Sequence, residues 1–165
     1  MILDILQLRN PEHVKTLRAT SELVTDFDQD LIDFCNNMAE TMYAANGVGL
    51  AAPQVGVNKN IFVMRTVESL EQSKDHGHVI LINPAYELNQ DATYYDMEGC
   101  LSFPGIQGKV ERSKELTTVY TTPEDLLSQR TFSGLQARIF QHENDHLYGI
   151  MFIDRAEELY QKKKR

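Results

Sequence analysis

Residues 133–149 read SGLQARIFQHENDHLYG, the stretch with the clearest helical pattern in the chain. Ser133 with Gln136 three positions on is a capping-box pattern at a helix start. Gly149 is a suitable stop sixteen residues later. Leu135, Ile139, His142 and His146 fall four, three and four apart, so they share one helical face. That face is apolar, and an unpaired imidazole turned toward a core is costly.

Upstream of this helix the chain alternates less and turns more. IFVMRT (61–66), HVILINP (78–84), ATYYDME (92–98) and KVERSKELTTVYTT (109–122) read as strands between turn signals, the last broken around Lys114. Asn10-Pro11 predicts a short helix over 11–18, with proline at its first position. A longer helix is predicted from about Asp28 to Ala45, acidic at its start, with Gly47 as its stop. The tail RAEELYQKKKR (155–165) reads as a frayed last helix. Strands run together and one principal helix follows them, so the expected class is α+β. Without repeats, low-complexity tracts or a linker, residues 1–165 are expected to form one domain.

The chain has 165 residues and a net charge of −8, which excludes a protein that wraps bare DNA, since that requires a basic footprint. The opening MILDILQLRN lacks the pattern of a signal peptide, and no run approaches the ~20 apolar residues of a membrane span. A cytoplasmic protein with no membrane partner is the expectation. The two cysteines, Cys35 and Cys100, are too few for a disulfide scaffold. Cys35 recurs with Leu31, Met38 and Met42 at helical spacing and reads as a small core residue. Cys100 sits in MEGCLSFPG (97–105), beside a glycine that lets the backbone approach something closely.

His142 and His146 lie one turn apart with Glu143 between them, the H-E-x-x-H arrangement in which two imidazoles reach one ion. A catalytic site of this kind takes three protein ligands and leaves one position for water. The extended metallopeptidase pattern places a third histidine where this chain has Phe152, which cannot ligate. Glu157 and Glu158 follow in an expected solvent-exposed tail. Cys100 is the best upstream donor, as a thiolate is strongly favoured beside a cation. His76 and His78, in a polar turn entering a strand, are the competing donors.

Three segments together resemble the peptide deformylase family: Gly47-Val48-Gly49-Leu50-Ala51-Ala52-Pro53-Gln54, then Glu98-Gly99-Cys100-Leu101-Ser102, then Gln141-His142-Glu143-Asn144-Asp145-His146. Their order and spacing match, and the likeness runs from ILQLRNP to the end of the long helix. The resemblance implies antiparallel strands packed around the metal-binding helix. It implies Cys100, His142 and His146 as ligands of one divalent ion, with Fe(II) the usual physiological metal and zinc, nickel or cobalt able to replace it. Glu143 would be the general acid–base, while the Gln54 side chain and the Leu101 N–H would stabilise the oxyanion. The implied reaction removes the formyl group from the N-terminal methionine of new polypeptides.

Gly47 and Gly49 would leave room for a substrate strand. Val48, Gly49, Gly99, Leu135 and Ile139 are the candidate substrate contacts. The resemblance also implies that Asp145 pairs with Arg112 near the metal. Some bacterial members carry an arginine seven residues after the ligand cysteine, where this chain has Gln107, so its substrate-facing rim should differ. The basic end Lys162-Lys163-Lys164-Arg165 is a candidate ribosome contact. The alternatives are a metallopeptidase and a non-catalytic metal-binding module. Phe152 speaks against the first, and the presence of Glu143 and Gln54 against the second.

Overall fold

The computed structural model describes residues 1–72, 77–89 and 91–163. Helix α1 (Pro11–Arg18) starts as expected, with the Asn10 side chain accepting from the Glu12 N–H. Helix α2 (Gln29–Ala44) is capped by Asp28, which accepts from the Leu31 N–H. Its stop differs from the expected one. Asn46, at φ 55°, takes the left-handed position, and the Gly47 N–H returns to the Met42 carbonyl at 2.9 Å.

A five-stranded antiparallel sheet follows, in the order β1-β2-β3-β6-β7. Its strands are β1 (Gly49–Ala51), β2 (Ile61–Arg65), β3 (His78–Leu88), β6 (Glu115–Thr121) and β7 (Leu127–Ser133). A second sheet, in the order β4-β5-β8, contains β4 (Thr93–Cys100), β5 (Phe103–Ser113) and β8 (Glu158–Gln161). A 3₁₀ turn over Ala52–Val55 and helix α3 (Val67–Gln72) flank β2.

The stretch 109–122 is therefore two strands in two sheets. β5 pairs with β4 and β8, whereas β6 pairs with β3 and β7. The break in alternation at Lys114 is the point where the chain changes sheet. β3 also runs past Pro84, through an irregularity between Ile82 and Ala85 where Asn83 has φ 51°.

β2 holds the layers together because it is buried on both faces. Phe62 and Met64 join one core with Leu81, Ile139 and Phe140, while Ile61 and Val63 join another with Cys35, Met38 and Met42. The larger sheet thus carries α2 on one side and α4 (Gly134–His146) on the other. Cys35 is a core residue, as its spacing predicted, and burial pushes its thiol up to about 12.

The expected capping box on α4 does not form. Ser133 makes no side-chain cap, and the Gln136 Nε2 donates instead to the Arg65 carbonyl at 2.9 Å. Gly149, at φ 72°, turns the chain after α4, and a Cβ there would lie 2.1 Å from the Arg18 carbonyl oxygen. Beyond Arg155 the described residues of the tail are not helical. One short helix, α5 (Phe152–Arg155), precedes β8, whose pairing with β5 overrides the helical preference of its residues.

Candidate metal centre and active site

Helix α4 crosses behind β1 and brings His142, Glu143 and His146 opposite the end of β4, where Cys100 lies. The ligating atoms of Cys100, His142 and His146 all fall within 4.8 Å of one another. Cys100 Sγ lies 3.4 Å from His146 Nε2, and the two imidazole rings are 5.1 Å apart between centroids. Thiolate and imidazole are a donor set suited to zinc-like ions, and three such atoms at this spacing could share one. His78 is not part of the group. Its Nδ1 meets the Tyr43 hydroxyl at 2.9 Å, and His76 lies outside the described residues. The Phe152 ring stacks 6.2 Å from that of His142.

The orientation of His142 is set by Glu98. The carboxylate Oε1 lies 2.9 Å from His142 Nδ1, which leaves Nε2 facing the thiol. Glu98 also accepts two hydrogen bonds from Arg112, both at 2.9 Å, and one from Arg138 at 2.7 Å. Burial opposes its ionisation, but the hydrogen bonds from His142 and Arg112 outweigh that and hold its carboxyl well below the usual range.

Arg112 does reach Asp145, through one bond of 2.7 Å. Its two-bond fork is spent on Glu98 instead, while Asp145 receives its own fork from Arg155. Sequence reading quoted Glu98 only as part of a motif and missed Arg138. The signal for Arg138 was its place one turn before His142 on the same helix.

Burial works against charge on His142, Glu143 and His146. His142 nevertheless stands well above its ordinary value, because its bonds to Cys100 and Glu98 outweigh desolvation. His146 is driven well below, by burial and then by its charged neighbour His142, which keeps it in the neutral form that ligates. Glu143 is raised to about 7, chiefly by burial, with His142 opposing and Glu98 adding to the rise. Its Oε2 is buried and has no hydrogen-bond partner in the protein. Such an atom calls for a polar group from outside the chain.

That group has somewhere to come from. A cavity of about 540 Å³ opens onto Cys100, His142 and Glu143. All the residues expected to touch substrate line it: Val48, Gly49, Gly99, Leu135 and Ile139. Val48 and Leu135 are 43% and 51% exposed and form the rim, whereas Ile139, at 4%, is part of the floor. Gln54 and Leu101 line the same wall, and Gln107 and Lys162 lie on the lip. A Cβ on Gly99 would meet one atom, the Ile106 carbonyl oxygen at 3.7 Å, so this glycine leaves open space.

A sequence profile of the polypeptide deformylase family matches residues 2–162. The chain belongs to that family. A peptide deformylase of Natranaerobius thermophilus is 40% identical over 148 residues, which cover 90% of each protein. The crystal structure of peptide deformylase from Thermotoga maritima superposes with a TM-score of 0.85 at 38% identity, covering 96% of this chain and 99% of that one. A Synechococcus elongatus peptide deformylase in complex with actinonin superposes at 0.83, with 36% identity and coverage of 94% and 79%. The deformylase family is metal-dependent, and the cluster of one thiol and two imidazoles could hold such an ion. No helix among the described residues is long and apolar enough to cross a membrane.

Proposed function

We propose that this chain, as a single catalytic domain, hydrolyses the formyl group from the N-terminal methionine of nascent polypeptides and releases formate. The observation that carries this reading is the unpartnered, buried Oε2 of Glu143 beside three side chains able to ligate a metal, of which Cys100 and His142 line an open cavity. Cys100, His142 and His146 hold one divalent ion, Fe(II) in the cell, with zinc, nickel or cobalt able to occupy the same donors. When bound, the ion acidifies water and polarises a carbonyl.

Glu143 takes a proton from the attacking water and gives it to the departing amine as the C–N bond breaks. A carboxyl held near 7 can exist in both the accepting and the donating form at neutral pH. Gln54 Nε2 and the Leu101 N–H stabilise the oxygen of the attacked carbonyl. Val48, Leu135 and Ile139 receive the methionine side chain, while Gly49 and Gly99 leave room for the peptide backbone. The enzyme works in the cytoplasm on chains leaving the ribosome. Exposed Lys162 and Lys163 support a ribosomal contact there, and Lys164 and Arg165 lie outside the described residues.

The test uses protein loaded anaerobically with Fe(II), with formate release and peptide mass followed together. Formyl-Met-Ala-Ser should be hydrolysed and acetyl-Met-Ala-Ser very poorly, because a site shaped to the formyl hydrogen excludes a methyl. Internal cleavage of longer peptides without formate release would assign the chain to a metallopeptidase activity instead.

A further inference from the structure

Gln54 is almost fully buried, and its amide has both ends spoken for. The Ala51 N–H donates to Oε1 at 2.9 Å, and a backbone donor can meet only the oxygen end of an amide. Nε2 must therefore face the other way, where it meets Ser102 Oγ at 3.1 Å and Cys100 Sγ at 3.5 Å. Bonds to sulfur are longer than bonds to oxygen, so each N–H has a partner, Ser102 holding one and the Cys100 thiol the other. The bond to sulfur is the one that an oxygen entering the cavity would take over. Ser102 has no exposed surface and no access to substrate.

A second set of bonds fixes the two segments against each other. The Leu6 N–H donates to the Gln54 carbonyl at 2.7 Å, and the Leu8 N–H to the Ser102 carbonyl at 2.8 Å. Between them, Gln7 Nε2 donates to the Leu101 carbonyl at 3.1 Å. Three consecutive residues thus tie the turn that carries Gln54 to the segment that carries Leu101.

We propose that Ser102 is a positioning residue that aims the Gln54 amide, and that Gln7 holds the Leu101–Ser102 peptide at the distance this requires. Without Ser102 Oγ the amide is tethered at its oxygen end alone, and the terminal torsion of a glutamine is broad. The donor then spends less of its time on the oxygen that becomes charged, while ground-state binding is untouched. This inference rests on the oxyanion role given to Gln54 above.

The experiment is a double-mutant cycle on Fe(II)-loaded protein, with kcat and KM for formyl-Met-Ala-Ser, metal content and melting temperature measured on each variant. Gln54→Ala should lower kcat by about 100-fold, the scale of losing one such donor. Ser102→Ala should lower kcat by about tenfold, with KM and metal content unchanged. In the double variant Ser102→Ala should add nothing to Gln54→Ala, because a group that acts through another has no effect once that one is gone. Gln7→Met should lower kcat several-fold with the same lack of additivity, and it carries the test if Ser102→Ala does not fold. An equal loss from Ser102→Ala in both backgrounds would assign Ser102 a purely structural role and overturn the proposal. A Gln54→Ala variant of full activity would instead remove the oxyanion reading itself.

Discussion

Gly49→Ala should disable the enzyme while leaving its fold and metal in place. A Cβ at this position would lie 2.9 Å from Cγ and 3.0 Å from Cδ of Glu143, and 3.0 Å from Cγ2 of Ile139. Carbon atoms in good contact stand about 3.5–4.0 Å apart, so the carboxyl must retreat by roughly 0.5–1 Å. It has little room, since Glu143 is 3% exposed and Ile139 closes the same wall. A 1 Å misplacement of a reacting group is worth on the order of 100-fold. The expected loss in kcat is therefore about 10- to 100-fold.

Stability should change less than activity. Overpacking costs about 1–3 kcal/mol. Replacing glycine restricts the unfolded chain and returns about 0.4–1 kcal/mol. The melting temperature should fall by a few degrees. The assays are formate release at saturating peptide, thermal denaturation, and the metal-to-protein ratio. Gly99→Ala is the control: its single contact at 3.7 Å is ordinary, so melting should not move and any effect should appear in KM. Full kcat in a folded, metal-replete Gly49→Ala protein would refute the claim that the Glu143 carboxyl carries the proton.

Cys100→Ala should lose the ion or bind it far more weakly, and elemental analysis showing unchanged stoichiometry and affinity would remove Cys100 from the site. Glu143→Gln should retain the ion and lose nearly all turnover; if the metal leaves with the activity, Glu143 is a ligand and not an acid–base. Arg112→Met withdraws two hydrogen bonds from Glu98 and one from Asp145, both buried. Stripping one partner from a buried ion pair costs about 3–5 kcal/mol, which urea denaturation would read as a lower midpoint at unchanged slope. A midpoint within error of the parent would mean that Arg138 and Arg155 alone satisfy both carboxylates.

The helices at 11–18 and 28–45 were legible from their starts at Asn10-Pro11 and Asp28, and the one at 133–146 from its apolar period, since its expected cap does not form. β2 was legible as a short strand opening on four consecutive apolar residues. The strands that escaped notice share a different property. β1 has three residues and β7 is polar, and both are edge strands whose existence depends on a partner distant in sequence. β8 was misread because Glu158, Leu159 and Gln161 favour helix locally, a preference that pairing with β5 overrules. At the site, His142 and His146 were readable from their spacing on one helix. Cys100 needed an argument by elimination, and the resemblance alone drew attention to Gln54. Arg138 stood one turn before His142 and could have been found from that spacing, whereas Glu98 could not, because what defines it is a meeting of β4, β5 and α4.

The double burial of β2 bears on the fate of the chain before it is folded. Ile61-Phe62-Val63-Met64 is an uncharged, β-favouring run without proline or glycine, the composition that stacks into cross-β aggregates when exposed. In the native sheet it has β1 on one side and β3 on the other, so its backbone offers no free edge. Lys59 and Arg65 bracket it, and charges in those places act as gatekeepers against intermolecular stacking. The strand that supports both cores is thus also a segment with a marked capacity to aggregate. Conditions that loosen β1 from β2 should turn stability loss into precipitation.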